Sequence, residues 1–376
     1  MSASSPSAVS LQPAVKSRRA LPRLLLAVVL FCTLEFAVFR SGWYTRYLEP
    51  DSTAGSMQIV LHIERQRYQP GTPRVLALGD SRMALLERVA DGMTGETPYR
   101  FDTISLAGTH PRCWYYMLRD IDPDARHYSA IVIPLASYQD EDLENLADAD
   151  VDIYYLVPLL RLSDALDFSM SFESWDLRRI ALQDTLFKGL AYKRDLWAFA
   201  ADPHGRMNRV HWARTDAAAA NYAFVGPHNT MEGLQVDWDA RKIVRYPDST
   251  TPQIRSGLRD ELLRPTGEYT GKRTAYLRKW LGRIVNRYRG SPTRLIFMRL
   301  PRGPLIRPYV VNAPTSAVRE IAARADGVLI DKDYFDQLEQ PPLFRDALHL
   351  NEKGCEEFTV LLVRKVTDIL RTAGRN

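Results

Sequence analysis

Three residues that lie far apart in the chain could together perform nucleophilic catalysis. Ser81 follows a short apolar run in VLALGDSRMALLERV, residues 75–89, and Asp346 and His349 stand three apart in FRDALHLNEKG near the C-terminus. A neutral imidazole can accept the proton of a serine hydroxyl, and a carboxylate can fix the tautomer of that imidazole and stabilise its charged form. The order Ser81, Asp346, His349 therefore supplies the groups of a catalytic triad.

The local pattern leaves a second interpretation of Ser81 open. Asp and Ser commonly cap helices, and a helical pattern over residues 82–90 follows Asp80 and Ser81 directly. The two interpretations are compatible, because α/β proteins bind ligands at the carboxyl ends of their strands. We predict that Asp80 and Ser81 begin a helix and that Ser81 also presents its hydroxyl group.

The elements that would position these residues follow from an alternating pattern. Short apolar runs cover residues 74–79, 102–107, 130–135, 294–299 and 327–330. Several of them are rich in β-forming residues and too short for buried helices. Helical patterns between them include residues 82–90, 111–121 and 314–325. Such alternation predicts a parallel sheet with helices on both faces. Ser81 and the Asp346–His349 pair would then lie at the same end of the sheet.

The interval between the third and fourth predicted strands is far longer than a crossover requires. We predict that residues 136–293 form a subdomain, inserted into a domain of residues 71–376, above the carboxyl edge of the sheet. Its first half has helical patterns, residues 203–256 are predicted to be irregular, and an amphipathic helix follows near Trp280. Trp197 and Trp212 would line a glycan groove or belong to the core.

The N-terminus predicts a membrane anchor. Residues 1–20 have a disordered composition and end in basic residues, residues 21–40 approach the roughly 20 apolar residues that cross a bilayer, and residues 41–70 form a connector. Positive charge on the first flank keeps that end in the cytoplasm. A cleaved signal peptide is the alternative, but no small-x-small site follows closely. We expect a single-pass protein of the inner or plasma membrane whose main domain is extracytoplasmic.

Glu35 interrupts this apolar segment. An ionisable group within a span is costly and is often paired or functional. Because Glu35 lies near the outer end, it could reach the interface, or it could contact a partner helix. Cys113 and Cys355 could pair in an oxidising compartment or remain as buried thiols.

Composition excludes several classes of protein. The chain has 376 residues, of which 45% are hydrophobic and 25% are charged, which is typical of globular proteins. Its net charge of +5 is not concentrated in one block, so we expect no nucleic-acid partner. The histidines lack metal-like spacing, and phosphate-loop and dinucleotide fingerprints are absent, so we expect neither a metal nor a cofactor.

Three motifs together resemble the SGNH, or GDSL-type, hydrolase superfamily. They are Gly79-Asp80-Ser81 after the first strand, Gly108 after the second, and DALHLNEKG after the last, and the resemblance covers about residues 74–135 and 293–370. More narrowly, the pattern is similar to membrane-anchored extracytoplasmic members that assist polysaccharide O-acylation beside a membrane-bound O-acyltransferase. The resemblance implies a three-layer α/β/α, flavodoxin-like parallel sheet with a large insert and an N-terminal transmembrane helix.

The resemblance also implies a role for each motif residue. Ser81 would be the nucleophile, His349 the base and Asp346 the orienting acid. The backbone N–H groups of Ser81 and Gly108 would form the oxyanion hole, where a small residue lets backbone donors approach the developing charge. An ordinary turn glycine is an equally good interpretation of Gly108 from the local sequence alone.

One block departs from the family. Its members usually have an Asn after the third strand as a further oxyanion donor, whereas this chain has PLASYQDED there. Losing one such donor can cost about 3 kcal/mol of transition-state stabilisation. Tyr138 and Gln139 could donate in its place, and Tyr138, Arg82 and Arg299 are candidate substrate contacts. Plain surface charge is an equally good interpretation of the two arginines.

The sequence therefore predicts serine-dependent transfer or removal of an acyl group, with acetyl as the expected group, on a carbohydrate or cell-surface glycan. The implied partner is a polytopic membrane-bound O-acyltransferase. The alternative is a catalytically weak SGNH-like binding or scaffold module in a glycan-assembly complex. The missing Asn favours the alternative, and the Ser-Asp-His order favours the enzyme.

Overall fold

A computed structural model describes residues 20–136, 145–215, 230–248, 250–264, 270–306, 316–324 and 327–373. The strands in these ranges are β1 Arg74–Gly79, β2 Arg100–Ser105, β3 Ala130–Leu135, β4 Gln235–Asp237, β5 Lys242–Arg245, β6 Arg294–Arg299 and β7 Val328–Leu329. Five of them form one parallel sheet in the order β2-β1-β3-β6-β7, and β4 and β5 form an antiparallel pair. The protein is therefore an α/β protein built on a parallel sheet.

The described helices lie before, between and after the strands. In chain order they are α1 Ala20–Glu35, α2 Thr53–Arg67, α3 Glu87–Gly92, α4 Pro111–Ile121, α5 Val151–Leu156, α6 Ala165–Ser169, α7 Trp175–Leu186, α8 Lys188–Ala191, α9 Lys193–Ala201, α10 Pro203–Thr215, α11 Pro252–Leu262, α12 Lys272–Tyr288, α13 Ala317–Arg324 and α14 Glu352–Ala373. A π-helical turn, Phe36–Arg40, continues α1, and a short 3-10 helix, Tyr44–Tyr47, follows.

Helices cover both faces of the sheet, because both faces are apolar. Alternate residues of a strand point to opposite faces. Leu76 and Ile131 belong to one buried core, which includes α2, α4 and α12, whereas Val75 and Val132 belong to a second core, which includes α14. Strands buried on both sides appear in a sequence as continuous apolar runs. The runs over residues 74–79, 130–135 and 294–299 accordingly coincide with β1, β3 and β6.

Residues 136–293 contribute to both cores. Residues from Leu146 to Tyr192 pack in the core with α2 and α4, while Met231, Leu258 and Leu262 pack in the core with α14. Helix α12 is itself one of the helices on the sheet, since Trp280 is fully buried in the first core. The stretch predicted to be irregular, 203–256, contains α10, β4, β5 and the start of α11.

An apolar helix lies at the N-terminal end of the described residues. Leu21–Arg40, with a mean hydropathy of 2.0, is long and apolar enough to cross a membrane by length and composition, and it is the one such helix in the described ranges. Most of its side chains are exposed, including Leu24, Val29 and Leu34. Glu35 is an exception, because it is buried against Gly189 and accepts a hydrogen bond from its backbone N–H at 3.1 Å.

The cysteines are not paired. Cys32 is exposed on α1, while Cys113 and Cys355 are buried and free. The suggested Cys113–Cys355 pair is excluded by their positions, because the two thiols lie in cores on opposite faces of the sheet.

Candidate active site

Ser81 lies in a tight turn at the carboxyl end of β1. The Asp80 carbonyl accepts a hydrogen bond from the Met83 N–H at 3.0 Å, and the Asp80 side chain accepts one from the Arg82 N–H at 2.8 Å. The prediction that Asp80 and Ser81 begin a helix is wrong, since α3 begins only at Glu87. The Asp80 carboxylate closes the local turn instead of capping a helix, and Ser81 is left partly exposed at the turn.

Gly79 permits this turn to pack closely. A Cβ atom at Gly79 would overlap with the Cβ atom of Met83 and crowd the ring of Pro134 on the neighbouring strand β3. The absence of a side chain therefore lets the chain after β1 fold back across the end of the sheet.

The loops that follow β1 and β2 are hydrogen-bonded to each other. The Ser105 hydroxyl donates to the Asp80 carbonyl at 2.7 Å, and the Thr109 hydroxyl donates to the Gly79 carbonyl at 2.9 Å. Between these two residues, Gly108 is exposed and has a φ of +68°, a conformation that glycine adopts without strain. The Ser81 turn and the Gly108 loop are thus held together by side chains that the motif analysis did not single out.

The other two motif residues lie in a turn before α14. This turn is closed by an antiparallel bridge between Phe344 and Leu350 and by a hydrogen bond from the Arg345 N–H to the His349 carbonyl at 3.0 Å. Asn351 then fixes the start of α14, because its amide oxygen accepts from the Gly354 N–H at 3.0 Å and its amide group donates to the Pro342 carbonyl at 2.7 Å.

The structure brings Ser81, His349 and Asp346 into one hydrogen-bonded chain. Ser81 Oγ lies 2.9 Å from His349 Nε2, and His349 Nδ1 lies 2.9 Å and 3.0 Å from the two carboxylate oxygens of Asp346. Asp346 Oδ1 also accepts the backbone N–H groups of Leu348 and His349, both at 2.8 Å. The Asp346 carboxylate is therefore held both by the His349 ring and by two backbone N–H groups.

The ionised carboxylate of Asp346 determines which groups donate in the hydrogen bonds that link Ser81, His349 and Asp346. Burial alone would raise the pKa of Asp346, but the hydrogen bond and charge of His349 and the two backbone donors outweigh it and hold the pKa below its usual value. An ionised carboxylate can only accept, so Nδ1 of His349 carries the proton and Nε2 is free to accept from Ser81. This tautomer is the one that a general base requires.

The sequence predicts the backbone N–H groups of Ser81 and Gly108 as oxyanion donors. Neither the Ser81 nor the Gly108 N–H donates a hydrogen bond to another described residue. Both follow strands, β1 and β2, that are paired as far as Gly79 and Ser105. An oxyanion hole requires donors that are already placed and need not break other bonds.

Arg82 and Asp80 form an ion pair beside Ser81. Arg82 Nη2 lies 2.6 Å from Asp80 Oδ2, and the arginine side chain is about a quarter exposed. Burial alone would raise the pKa of Asp80, but the charge and hydrogen bonds of Arg82 outweigh burial and lower it. Arg82 therefore remains partly accessible at the site, with Asp80 holding its position.

Arg299 is buried in ion pairs with other residues of the protein and is not exposed to a substrate. Only 5% of its side chain is exposed, and its guanidinium group contacts Glu339 at 2.8 Å as well as Asp336 and the Lys332 carbonyl. A buried guanidinium whose donors bind carboxylates of the same chain is not available to a substrate, so we assign Arg299 to the packing of the loop after β7. Tyr138 and Gln139 lie outside the described residues.

No cluster of three or more His, Cys, Asp or Glu side chains that could hold a metal occurs among the described ranges. Sequence reasoning missed the positioning residues Ser105 and Thr109. Both flank Gly108 in SLAGTH, where hydroxyl side chains on both sides of a turn glycine were the available signal. In comparisons with known proteins, no protein-family model and no curated protein matches the chain.

Proposed function

We propose that this chain is a serine-dependent acyltransferase or esterase that acts, through an acyl-enzyme at Ser81, on a carbohydrate or cell-surface glycan. The observation that carries the proposal is the hydrogen-bonded chain from Ser81 Oγ through His349 to Asp346. A nucleophile bound to its base, with the base oriented by a third group, is the arrangement that activates a hydroxyl.

The reaction would proceed in two halves. Ser81 Oγ attacks the acyl carbonyl while His349 Nε2 accepts the hydroxyl proton, and the Ser81 and Gly108 N–H groups stabilise the oxyanion. Collapse of the tetrahedral intermediate breaks the bond to the leaving group, which takes the proton from His349. A sugar hydroxyl or a water molecule then gives its proton to His349 and attacks the acyl-serine. The second tetrahedral intermediate collapses to the acylated sugar or the free acid, and Ser81 Oγ leaves with the proton returned by His349.

Fold topology supports membership of the SGNH superfamily. If the five sheet strands are renumbered in chain order, they have the order 2-1-3-4-5, which is that of flavodoxin-like sheets. Ligands bind these sheets at the carboxyl ends of strands where the order reverses, next to the first strand. Ser81 follows that strand, β1. We further propose that part of residues 136–293 is an insert relative to the superfamily core.

The proposed location is extracytoplasmic, beside a polytopic membrane-bound O-acyltransferase that would supply acyl groups. Support comes from the apolar helix Leu21–Arg40 and from the basic residues Lys16, Arg18, Arg19 and Arg23 at its first end. A reporter that is active only in the cytoplasm, fused after residue 376, should be silent. An active fusion would refute both the topology and the partner.

The test of catalysis is the acyl content of the host's extracellular glycan, together with the intact mass of the purified protein. Ser81→Ala should abolish acylation and prevent an acyl adduct, while Ser256→Ala, on α11, serves as a matched control that should retain both. Normal acylation in Ser81→Ala, at normal expression, would end the catalytic proposal.

One sequence feature favours a second candidate, a catalytically weak binding or scaffold module. The segment after β3 has no Asn in PLASYQDED, and so lacks the family's further oxyanion donor. A scaffold predicts that Ser81→Ala and His349→Ala both retain glycan acylation, whereas deletion of the whole chain abolishes it. The same measurement therefore separates the two candidates.

A further inference from the structure

The helices α7–α10 are attached to the apolar helix at the N-terminus. Glu35 accepts hydrogen bonds from the Gly189 N–H, at 3.1 Å and 3.3 Å, and Arg40 donates to the Leu186 carbonyl at 2.8 Å. The ring of Phe187 lies 5.8 Å from the ring of Phe31. The junction between α7 and α8 thus contacts the helix along its side and not only at its end.

If Leu21–Arg40 crosses a bilayer, as the proposed function requires, these contacts determine how deep the α7–α8 junction lies in that bilayer. Phe31 precedes Arg40 by nine residues, and a rise of 1.5 Å per residue places it about 13 Å below the outer end of the span. A hydrocarbon core is about 30 Å thick. Because Phe187 contacts Phe31, the α7–α8 junction would reach below the headgroups of the outer leaflet.

The most exposed tryptophans lie in the same part of the chain. Trp43, Trp175, Trp197 and Trp212 are all more than half exposed, and they lie in the connector after α1 or on α7, α9 and α10. In contrast, Trp114 and Trp280, on helices that cover the sheet, are buried. Tryptophan concentrates at membrane interfaces, where its ring contacts apolar chains and its N–H stays hydrated.

Side-chain contacts join α9 and α10 to the connector. The Tyr44 hydroxyl donates to Asp195 Oδ1 at 2.5 Å, and Arg206 Nη1 binds Asp195 Oδ2 at 2.9 Å. The rings of Tyr47 and Phe199 lie 5.7 Å apart. These helices therefore have a fixed position relative to the residues that leave the proposed span.

Exposed basic residues lie close in sequence to Trp43 and Trp197, whereas Trp175 is followed by the exposed Asp176. Arg46, Lys193 and Arg194, on the connector and at the start of α9, are exposed. Exposed cations beside exposed aromatic rings suit the headgroup layer of a bilayer that contains anionic phospholipid.

We propose that α7–α10 and Trp43 form a juxtamembrane surface that lies in the outer-leaflet interface of an anionic bilayer. The α7–α8 junction enters the hydrocarbon boundary beside α1, and Trp175, Trp197 and Trp212 lie at headgroup level. The surface holds the catalytic domain against the membrane in one orientation. This proposal rests on the proposed span but not on the chemistry at Ser81.

The test uses the full chain reconstituted alone into phosphatidylcholine vesicles, with and without phosphatidylglycerol. In a Cys32→Ser background, nitroxide labels are placed by Trp175→Cys, Trp197→Cys or Trp212→Cys, and their accessibility to oxygen and to a water-soluble nickel complex is compared. Leu26→Cys reports the span, and Lys353→Cys, on exposed α14 surface, is the aqueous control. We expect labels at the three tryptophan positions to favour oxygen, more strongly with phosphatidylglycerol.

A second measurement avoids new cysteines. Brominated phosphatidylcholine should quench the tryptophan emission of the intact chain, and most of this quenching should be lost when Trp175, Trp197 and Trp212 are all replaced by Phe. If Leu26 lies in lipid while the three positions remain aqueous, the juxtamembrane surface is refuted. An aqueous Leu26 refutes the span and the surface together. Neither readout depends on acyl transfer, so the proposed chemistry can fail independently.

Discussion

Asp346→Asn should impair the nucleophile by reversing the tautomer of His349. Oδ1 accepts two backbone N–H groups, both at 2.8 Å, so an amide at this position must direct its oxygen toward them. The opposite orientation would leave two donors facing an NH2 group, at about 1–3 kcal/mol for each unsatisfied group. The amide nitrogen then occupies the position of Oδ2, 2.9 Å from His349 Nδ1, and donates to it.

The magnitude follows from this geometry. With Nδ1 accepting, Nε2 carries the proton and cannot accept from Ser81, which in serine enzymes costs up to about 10⁴-fold. Here Oδ1 remains 3.0 Å from Nδ1 and can retain a fraction of the working tautomer. We therefore expect a loss of about 10³-fold, which corresponds to roughly 4 kcal/mol at the transition state.

The assay is the second-order rate of Ser81 modification by a fluorophosphonate, followed by intact mass, because this reagent reports serine nucleophilicity without a known substrate. Ser81→Ala provides the blank. Asp346→Asn should unfold at the wild-type temperature, whereas Asp346→Ala should lose about 1–3 kcal/mol of stability, since two backbone donors lose their acceptor. Modification of Asp346→Asn within tenfold of wild type would refute the assigned role of the carboxylate.

Four further outcomes are expected. Ser81→Ala and His349→Ala should each abolish acyl transfer, and the double variant should be no worse than either, as kinetics of all three would show. Gly79→Ala should lower the free energy of unfolding by about 1–3 kcal/mol through overpacking against Met83, while Gly92→Ala, with open space around it, should not. Because the pKa of Asp346 is lowered on folding from 3.8, its contribution to stability is present above that pH and declines below it, so denaturation of wild type and Asp346→Ala should converge in acid. In the folded protein a maleimide should leave Cys113 and Cys355 unlabelled, and all three thiols should react after unfolding without reductant; fewer would indicate a disulfide.

Buried strands were predictable because they are apolar on both faces and end at turn residues. The runs 74–79, 130–135 and 294–299 have the observed bounds of β1, β3 and β6, whereas β2 begins two residues before the predicted run. Its bounds are set by pairing with β1, where Arg100 stands opposite Arg74. Arg74 binds Asp102 at 2.8 Å in a buried ion pair, an interaction between strands that local hydropathy does not reveal.

The start of α3 was not predictable from local capping preferences. The Asp80 carboxylate could cap a helix terminus or accept a backbone N–H group within a local turn. It accepts the Arg82 N–H, because Met83 approaches Gly79 closely and the chain turns there. In the candidate site, residue types and order pointed to Ser81, Asp346 and His349, but not to their distances. The role of Arg299 was also inaccessible, because its partners Asp336 and Glu339 lie about forty residues further along the chain.

The separation of Ser81 from His349 has a consequence for biosynthesis. The two residues are 268 positions apart, and the turn that holds His349 lies directly before α14, the last described helix. A nascent chain therefore completes β1 and the Ser81 turn long before the imidazole exists. Under the proposed mechanism, no fragment that ends before residue 349 can activate the serine, so premature termination or proteolytic loss of the C-terminal segment would leave Ser81 without its base.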